Sequence, residues 1–359
     1  MADHDLAAWL RLTLIPGVGG ETQRRLLKVF GLPPAIFAAS GAALQAAVDG
    51  AAAELVAGHD SAAAVAAALA WAAAPGNQIV TLGDAAYPQA LLTTADPPVL
   101  LYVKGRAELL NRPALAIVGS RNATPQGDAN AQAFAAALAR AGFAIVSGLA
   151  LGIDAAAHRG ALEAGGTTIA VIGTGADRIY PAQNAALARA IAANGIIVSE
   201  FPLGTPPMPA NFPRRNRIIA GLARGCLVVE AAERSGSLIT ARLCAEAGRE
   251  VFAIPGSIHA PLAKGCHKLI KQGAKLVETA ADILEELHWE GVVNPAALPP
   301  TMAAETDPLL IALGRDPCDL DTLCARCELP ADVLLARLLP LELDGRIATL
   351  PGGLYQRLN

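Results

Sequence analysis

The feature of this sequence that most constrains its fold is a short apolar run that recurs seven times between residues 114 and 278. Most of the runs end in Gly, Ser or Glu and are followed by a segment of helical composition. They read "ALAIVGS" (114–120), "FAIVSG" (143–148), "TIAVIG" (168–173), "IIVSE" (196–200), "CLVVEA" (226–231), "VFAIPG" (251–256) and "AKLVE" (274–278). Unbroken apolar strands that alternate with helices predict a parallel sheet covered on both faces, and hence the α/β class.

Two more apolar segments, at residues 79–83 and 99–105, precede this series and are joined by a proline-containing stretch. We predict that they are two strands of the same domain, which covers residues 76–288. Parallel sheets bind their ligands beyond the carboxyl ends of the strands. Since nearly every apolar run ends in Gly, Ser or Glu, we expect the functional residues at that edge.

The segments on either side of this domain have different patterns. Residues 1–75 predict a small helical domain, in which "LIPGVGGETQRRLLKVFG" (14–31) has the glycine turn and amphipathic helix of a helix-hairpin-helix motif. Its glycines would let backbone amides approach a phosphate, but the same turn also serves for packing alone, and both interpretations stay open. Residues 289–306 have the composition of a linker, and residues 307–359 predict a winged-helix domain of three short helices and a hairpin.

The composition narrows the class of protein. The chain has 359 residues and a formal net charge of −4, which disfavours a protein that coats duplex DNA through overall charge. The start "MADHDLAAWLRL" lacks the basic residues of a signal peptide, and the alanine-rich run at 61–74 is too short to span a bilayer. We therefore expect a cytoplasmic protein with no membrane association. Of six scattered cysteines only Cys324 and Cys327 form a CxxC pair, which predicts free thiols rather than a metal site.

The glycine patterns do not predict a nucleotide cofactor. A dinucleotide-binding loop needs GxGxxG after its first strand, but "VGSRNATPQG" has no second glycine before Gly127. The nearest approach, "GTGADR" (173–178), has Arg178 in place of the third glycine, and the sequence contains no GxxxxGK[ST] loop. We predict neither a cofactor nor ATPase activity.

The first group of candidate binding residues follows the first parallel strand. Gly119, Ser120 and Arg121 provide a backbone turn, a hydroxyl and a planar cation. Charge-assisted hydrogen bonds from these groups suit a phosphate oxygen.

A second group lies in "NFPRRNRIIAGL" (211–222), where we expect Asn211 to cap a helix that carries Arg214, Arg215 and Arg217 in or near its first turn. Cations at that position oppose the helix dipole unless an anion is bound there. We therefore predict an anion site. Replacing Arg215 or Arg217 by alanine is then expected to weaken binding while leaving folding nearly unchanged.

A third group lies in "ERSGSLITA", which leads from a strand into a helix with Ser235, Gly236 and Ser237 at its start. Hydroxyls and free amides at a helix start form another anion site. Lys264 is expected to supply a further charge on the same edge.

Several anion sites on one edge fit an extended polyanion better than a single small phosphate. Residues 111–290 contain 17 basic and 14 acidic side chains, a net charge of about +3, which favours such a ligand. Residues 302–359 contain 5 basic and 9 acidic side chains. A winged helix that reads duplex DNA normally carries positive charge, so this one is interpreted as a protein-docking or regulatory module.

No catalytic constellation is evident. Asp154 and His158 have helical i,i+4 spacing, but without a nucleophile they are interpreted as a helix cap and a structural partner. Glu200 and Glu230 end strands near the predicted edge, and two isolated glutamates are a weak signal for a general base. Either could instead pair with one of the arginines and stabilise the fold. We predict no catalytic residues.

Taken together, the motifs of this chain resemble the DprA (Smf) family of bacterial DNA-processing proteins. The resemblance covers about residues 80–287, and the helical start and winged-helix tail fit the three-domain form of that family. It is carried by "AIVGSR", "SGLALGIDAAAHRGALEAGGTTIAVIGTGADRIYP", "SEFPLG", "NFPRRNRIIAGL", "VVEAAERSGSLITARLCAEAGREVFAIPG" and "KGCHKLIKQGAKLVETAADIL".

The resemblance implies an extended Rossmann-like domain that binds single-stranded DNA, a homodimer, and loading of the recombinase RecA onto DNA during natural transformation, with no established catalytic step. The residues that match the family's DNA-binding motifs are Gly119, Ser120, Arg121, Arg214, Arg215, Asn216, Arg217, Ser235, Gly236, Ser237 and Lys264. One departure is His267, where the family usually has asparagine.

The alternative is an enzyme of the phosphoribohydrolase (lysine-decarboxylase-like) class, which splits nucleoside monophosphates on a similar sheet. That class carries PGGxGTxxE, whereas "PGSIHAPLAKG" here lacks the glycine pair, the threonine and the acid. Release of free base from AMP by the purified protein would favour this alternative.

Overall fold

The computed structural model describes residues 3–289, 307–314 and 316–358, without the side chains of Asp3 and His4. Apart from Trp289, the predicted linker 289–306 lies outside the described residues.

Six helices come before the first strand and form the helical domain at the start of the chain. They are α1 (Asp3–Thr13), α2 (Gly20–Phe30), α3 (Pro33–Ala38), α4 (Gly41–Ala47), α5 (Gly50–Gly58) and α6 (Ala62–Ala72). Leu12, Leu26, Leu44 and Val56 form the centre of their core, and each is at most 2 % exposed. Among the described residues no single helix is long and apolar enough to cross a membrane. The pair α5 and α6 passes that test only in combination, and it is bent by 68°.

The central domain alternates strands and helices as the apolar runs predict. Its strands are β1 (Asn77–Thr81), β2 (Leu100–Gly105), β3 (Ala114–Val118), β4 (Ala144–Ser147), β5 (Thr168–Val171), β6 (Ile196–Ser199), β7 (Gly225–Val228), β8 (Glu250–Ala253) and β9 (Lys275–Leu276). Its helices are α7 (Gln89–Leu92), α8 (Pro125–Arg140), α9 (Ile153–Glu163), α10 (Ala185–Asn194), α11 (Asn211–Leu222), α12 (Ser237–Glu246), α13 (Lys264–Lys271) and α14 (Ala280–Glu286).

The nine strands form one sheet in the order β1-β2-β6-β5-β4-β3-β7-β8-β9. The seven strands from β6 to β9 along this order are parallel, whereas β2 is antiparallel to β6 and β1 is antiparallel to β2. The chain order reverses at β3, which has β4 on one side and β7 on the other. In open α/β sheets, the crevice beyond the carboxyl ends of the strands at such a reversal is the usual ligand site.

Alternate residues of the buried strands face the two layers of helices, as the two-residue period of a strand requires. Val118, Val146 and Val228 pack in one core with side chains of α11 and α12, while Ile117 and Ile145 pack on the other face with α8 and α9. The α/β fold class and the extended Rossmann-like sheet are therefore confirmed.

The last part of the chain forms a compact winged-helix unit, as predicted. It contains α15 (Pro308–Leu313), α16 (Leu320–Cys327) and α17 (Ala331–Leu343), and a small sheet of β10 (Cys318–Asp319), β11 (Ile347–Leu350) and β12 (Leu354–Arg357) in the order β10-β12-β11. The outer face of α17 exposes Leu335, Leu339 and Leu343 to 43 %, 57 % and 79 %. In a DNA-reading winged helix this face carries polar and basic residues.

Candidate functional site

The main cleft of the sheet domain lies beyond the ends of β3 and β7, at the point where the strand order reverses. Its volume is about 590 Å³. The cleft brings together most of the predicted residues from three separate segments. Its walls include Gly119, Ser120, Arg121, Asn122, Asp154, Tyr180, Phe212, Arg215, Asn216, Ser235, Gly236 and Ser237. Because these segments are far apart in sequence, only the parallel sheet makes them neighbours.

The loop after β3 places its cation at the mouth of the cleft. A Cβ on Gly119 would lie 2.6 Å from Ile153 Cγ1 and 2.8 Å from the carbonyl oxygen of Glu230, so packing alone requires glycine there. Ser120 Oγ accepts a hydrogen bond from the amide of Asn122 at 3.1 Å. The exposed guanidinium of Arg121 lies 5.5 Å from the centre of the Phe212 ring, within cation–π range. Arg121 is thus positioned by an aromatic ring and open to solvent.

Helix α11 begins at Asn211, one residue earlier than the sequence predicts. Ala210 is the N-cap, and Asn211 is the first helical residue. The prediction that Asn211 caps the helix is therefore wrong, because its Nδ2 instead donates to the carbonyl of Gly173 at 3.0 Å. No side chain caps the start of this helix, and its first turn contains no acidic residue.

The arginines of α11 diverge because successive helical residues are about 100° apart. Arg215 and Asn216 line the main cleft, whereas Arg214 and Arg217 line a second cleft on the other side of the helix start. The single basic cluster of the sequence thus becomes two separate sites.

Arg215 is buried, with 4 % of its surface exposed. Its Nη1 donates to the carbonyl of Val171 at 2.7 Å, and its guanidinium lies against Gly148, where a Cβ would be only 1.8 Å from Nη1. Burial lowers the pKa of Arg215 to about 10, and the charge of Asp154 opposes this shift. The burial of Arg215 does not fit the expectation that its replacement by alanine would leave folding nearly unchanged.

Arg217 forms an ion pair with Glu200, which the sequence analysis gave as an alternative to a binding role. Its Nη2 donates to Glu200 Oε2, and its Nε lies 3.0 Å from Asp96 Oδ2. Arg214 has a longer contact of 3.5 Å to Glu200 Oε1, and its side chain is 54 % exposed. Burial raises the pKa of Glu200, and the charges of Arg217 and Arg214 oppose this rise. Arg217 is held by carboxylates, and Arg214 remains largely open.

The serine segment at the start of α12 forms the wall opposite the loop after β3. Ser235 Oγ and Ser237 Oγ are 2.7 Å apart, and Ser235 Oγ also accepts from the amide of Ser237 at 3.3 Å. Asn216 Nδ2 donates to the carbonyl of Gly236 at 3.4 Å, which joins this segment to α11. No atoms lie within 4 Å of the position of a Cβ on Gly236, so the turn faces open space.

Lys264 does not join these residues in the main cleft. It starts α13, is exposed, and donates through Nζ to the carbonyl of Ile258 in its own loop. His267 hydrogen-bonds through Nε2 with the carbonyl of Gly256 at 2.9 Å. Both residues stabilise the loop 256–264.

The acidic residues near the cleft have structural partners. The prediction that Asp154 caps a helix is wrong, because Gly152 is the N-cap of α9. The Asp154 carboxylate instead accepts hydrogen bonds from the amides of Gly148 and Ala150 at 3.1 and 3.3 Å. Glu230 accepts from the amide and hydroxyl of Thr124, the N-cap of α8, at 2.9 and 2.6 Å. The start of α8 is thus occupied by the protein's own carboxylate.

His158 packs under the same edge and is fully buried. Its Nδ1 lies 2.6 Å from Thr168 Oγ1. Burial lowers its pKa to about 3, and the charges of Arg215 and Arg159 add to this effect. The imidazole is therefore neutral at ordinary pH, which fits the structural role that the sequence suggested.

Two aromatic residues at the cleft mouth were missed by the sequence reasoning. The rings of Tyr180 and Phe212 are 5.7 Å apart, and Tyr180 is 46 % exposed. Exposed aromatic rings beside a cationic groove are typical stacking platforms for bases. The low aromatic content of 4 % concealed them, but "RIYP" and "NFP" both stand next to basic residues.

The sheet domain and the winged-helix domain match known families. Residues 78–288 match DNA recombination-mediator protein A, and residues 293–353 match the DprA winged helix domain. Protein Smf of Escherichia coli K12 is 44 % identical over 299 residues, which cover 81 % of this chain and 80 % of that protein. DNA processing protein DprA of Streptococcus pneumoniae R6 is 50 % identical over 206 residues, which cover 57 % of this chain and 73 % of that protein.

Solved structures agree with these matches. The DprA structure from Streptococcus pneumoniae superimposes with a TM-score of 0.70 at 38 % identity, covering 80 % of this chain and 98 % of that one. DNA processing protein A from Helicobacter pylori, whose structural description concerns its single-stranded DNA binding mode, has a TM-score of 0.54 at 32 % identity. That match covers 60 % of this chain and 97 % of that one.

Proposed function

The chain belongs to the DprA family of DNA recombination-mediator proteins, and from this premise we propose that its main cleft binds the backbone of single-stranded DNA. The observation that carries the proposal is the convergence on one cleft of the exposed Arg121 side chain and the starts of α11 and α12, neither of which has an acidic residue in its first turn. Helix starts and guanidinium groups both favour phosphate oxygens.

The shape of the site supports a single strand rather than a duplex. The phosphate-binding groups follow a cleft between loops, and the Tyr180 and Phe212 rings stand at its mouth, where an unpaired base could stack on them. Bases in a duplex are already stacked on each other and do not expose their faces. The homologue from Helicobacter pylori, described as binding single-stranded DNA, agrees with this proposal.

The first prediction concerns the ionic strength. Because phosphate contacts release counterions, the logarithm of the affinity for single-stranded DNA should fall linearly with the logarithm of the salt concentration, by about 0.7 per phosphate contacted. The measurement is a fluorescence-anisotropy titration with a mixed-sequence oligonucleotide and with its duplex over a salt series. Equal affinity for the duplex, or a flat salt response, would contradict the proposal.

The second prediction concerns the winged-helix domain. Deletion of residues 302–359 should change the affinity for single-stranded DNA by less than about twofold, because this segment is net acidic and repels phosphates. The exposed leucines of α17 favour contact with a protein over contact with DNA. The same titration with the truncated chain tests this, and a large loss of affinity would assign the domain a direct role in DNA binding.

We further propose that the protein is a cytoplasmic homodimer that protects incoming DNA and loads RecA during natural transformation, acting through binding and not through catalysis. These steps rest on the family resemblance. Sedimentation velocity tests the dimer. RecA loading is tested by whether the protein accelerates RecA filament formation on DNA already coated by a single-strand-binding protein.

A further inference from the structure

A second cleft lies between the helical domain and the sheet domain, on the far side of the α11 start from the main cleft. Its volume is about 480 Å³. One wall is the glycine turn of residues 14–20 with the start of α2, and the other wall carries Glu200, Arg214 and Arg217. The first turn of α11 contributes to both clefts, since Phe212 and Pro213 line the main cleft and Arg214 lines this one.

The cationic side of this cleft has one guanidinium that is largely exposed. Arg24 and Arg217 are both tied to Asp96, with Arg24 Nη1 at 2.5 Å from Asp96 Oδ1. Arg214 has the 3.5 Å contact to Glu200 and lies 5.5 Å from the centre of the Phe201 ring, and its side chain is 54 % exposed. The paired arginines thus fix the walls, and Arg214 remains able to bind a phosphate.

The turn before α2 faces the cleft with its backbone. Gly17 has a φ of +85°, which favours glycine, and no side chain caps the start of α2 at Gly19. Gln23 holds the turn by donating through Nε2 to the carbonyl of Val18 at 2.8 Å. The exposed Glu21 of the same helix turn is not among the residues that line the cleft. The first amides of this eleven-residue helix are thus available to an anion.

A buried carboxylate oxygen gives independent evidence for a ligand. The Glu200 side chain is 5 % exposed and lines the cleft, and its Oε1 accepts no hydrogen bond from the described residues. A buried polar atom without a hydrogen bond is costly, and the 3.5 Å ion-pair contact of Arg214 with Oε1 does not provide one. Oε1 needs a hydrogen-bond donor. A phosphate diester has no such donor, whereas a nucleobase has N–H groups.

We propose that the second cleft binds a further nucleotide of the strand that occupies the main cleft, with its phosphate on Arg214 and the first amides of α2 and a base N–H on Glu200 Oε1. The inference rests on the function proposed above. The strand passes over the first turn of α11, where Pro213 is exposed between the two clefts. The glycine turn then acts as a phosphate site and not only as a packing element.

The experiment compares the full-length protein with Arg214→Ala and with the control Arg25→Ala, an exposed arginine of α2 that does not line the cleft. Three probes are titrated: a strand of about 4 nucleotides, one of about 12, and one of about 12 units in which the half expected to reach the second cleft lacks bases. Arg214→Ala should weaken the long strand about tenfold and reduce its salt slope by about 0.7, while the short strand changes less than twofold. Arg25→Ala should leave all three affinities unchanged within twofold.

The outcomes separate the two proposals. If Arg214→Ala weakens the short and long strands equally, or if Arg25→Ala has the same effect, the second cleft is not a subsite. If the abasic strand binds as tightly as the intact one, Glu200 makes no base contact and the assigned ligand is wrong. If the wild-type protein binds none of the probes, the proposed function itself fails.

Discussion

Replacing Arg215 by alanine should lower the free energy of unfolding by about 3 kcal/mol, because it leaves a buried carbonyl without its donor and a buried carboxylate without a nearby opposite charge. The guanidinium is 4 % exposed and donates to the carbonyl of Val171. Its loss leaves the buried carboxylate of Asp154 without the charge that opposes the effect of burial on its pKa. Urea denaturation at pH 7, followed by circular dichroism, measures the change.

Arg214→Ala is the matched control, since it removes the same side chain one residue earlier in the same helix. Its guanidinium is 54 % exposed, so the free energy of unfolding should change by less than about 1 kcal/mol. If the two variants unfold at the same urea concentration, Arg215 is not a structural residue. In that case the DNA affinity measured for Arg215→Ala needs no correction. If Arg215→Ala is destabilised, its measured affinity must be corrected for the fraction of protein that is folded.

The strands of the sheet were predictable because each is a continuous apolar run. Buried parallel strands need apolar side chains on both faces, so a run such as 114–120 has few alternatives, and β3 (Ala114–Val118) lies within it. The position of the candidate site was predictable for the same reason. The strand ends of a parallel sheet share one edge, which placed Ser120 and Ser237 in one cleft.

The fate of the individual arginines was not predictable from the sequence. Arg214, Arg215 and Arg217 look alike in the chain, and helix geometry separates them only when the neighbours of each face are known. Arg215 is buried because Gly148, on a different strand end, leaves room for its guanidinium. Arg217 is paired because the fold brings Asp96 and Glu200, which lie in other segments of the chain, to its guanidinium. Tertiary contacts of this kind have no local signal.

The second large effect concerns DNA binding, where Arg121→Ala should weaken the affinity for single-stranded DNA by about 1–3 kcal/mol, or roughly 5- to 150-fold. Arg121 is exposed at the cleft mouth and contacts the Phe212 ring, so it can meet a phosphate while the ring meets a base. The slope of the logarithm of the affinity against the logarithm of the salt concentration should fall by about 0.7, because one phosphate contact is lost. Anisotropy titration over a salt series measures both quantities.

Arg106→Ala is the control for this variant. Arg106 is 56 % exposed and pairs with Glu108, but it follows β2, whose end lies beside the start of β6 and hence at the opposite edge of the sheet from the cleft. Both variants remove one positive charge, so a general effect of net charge would weaken binding equally. A selective loss in Arg121→Ala, with an unchanged unfolding midpoint, assigns the phosphate contact to the cleft. Equal losses would mean that the DNA is held by the overall field of the domain and that the cleft is not its binding site.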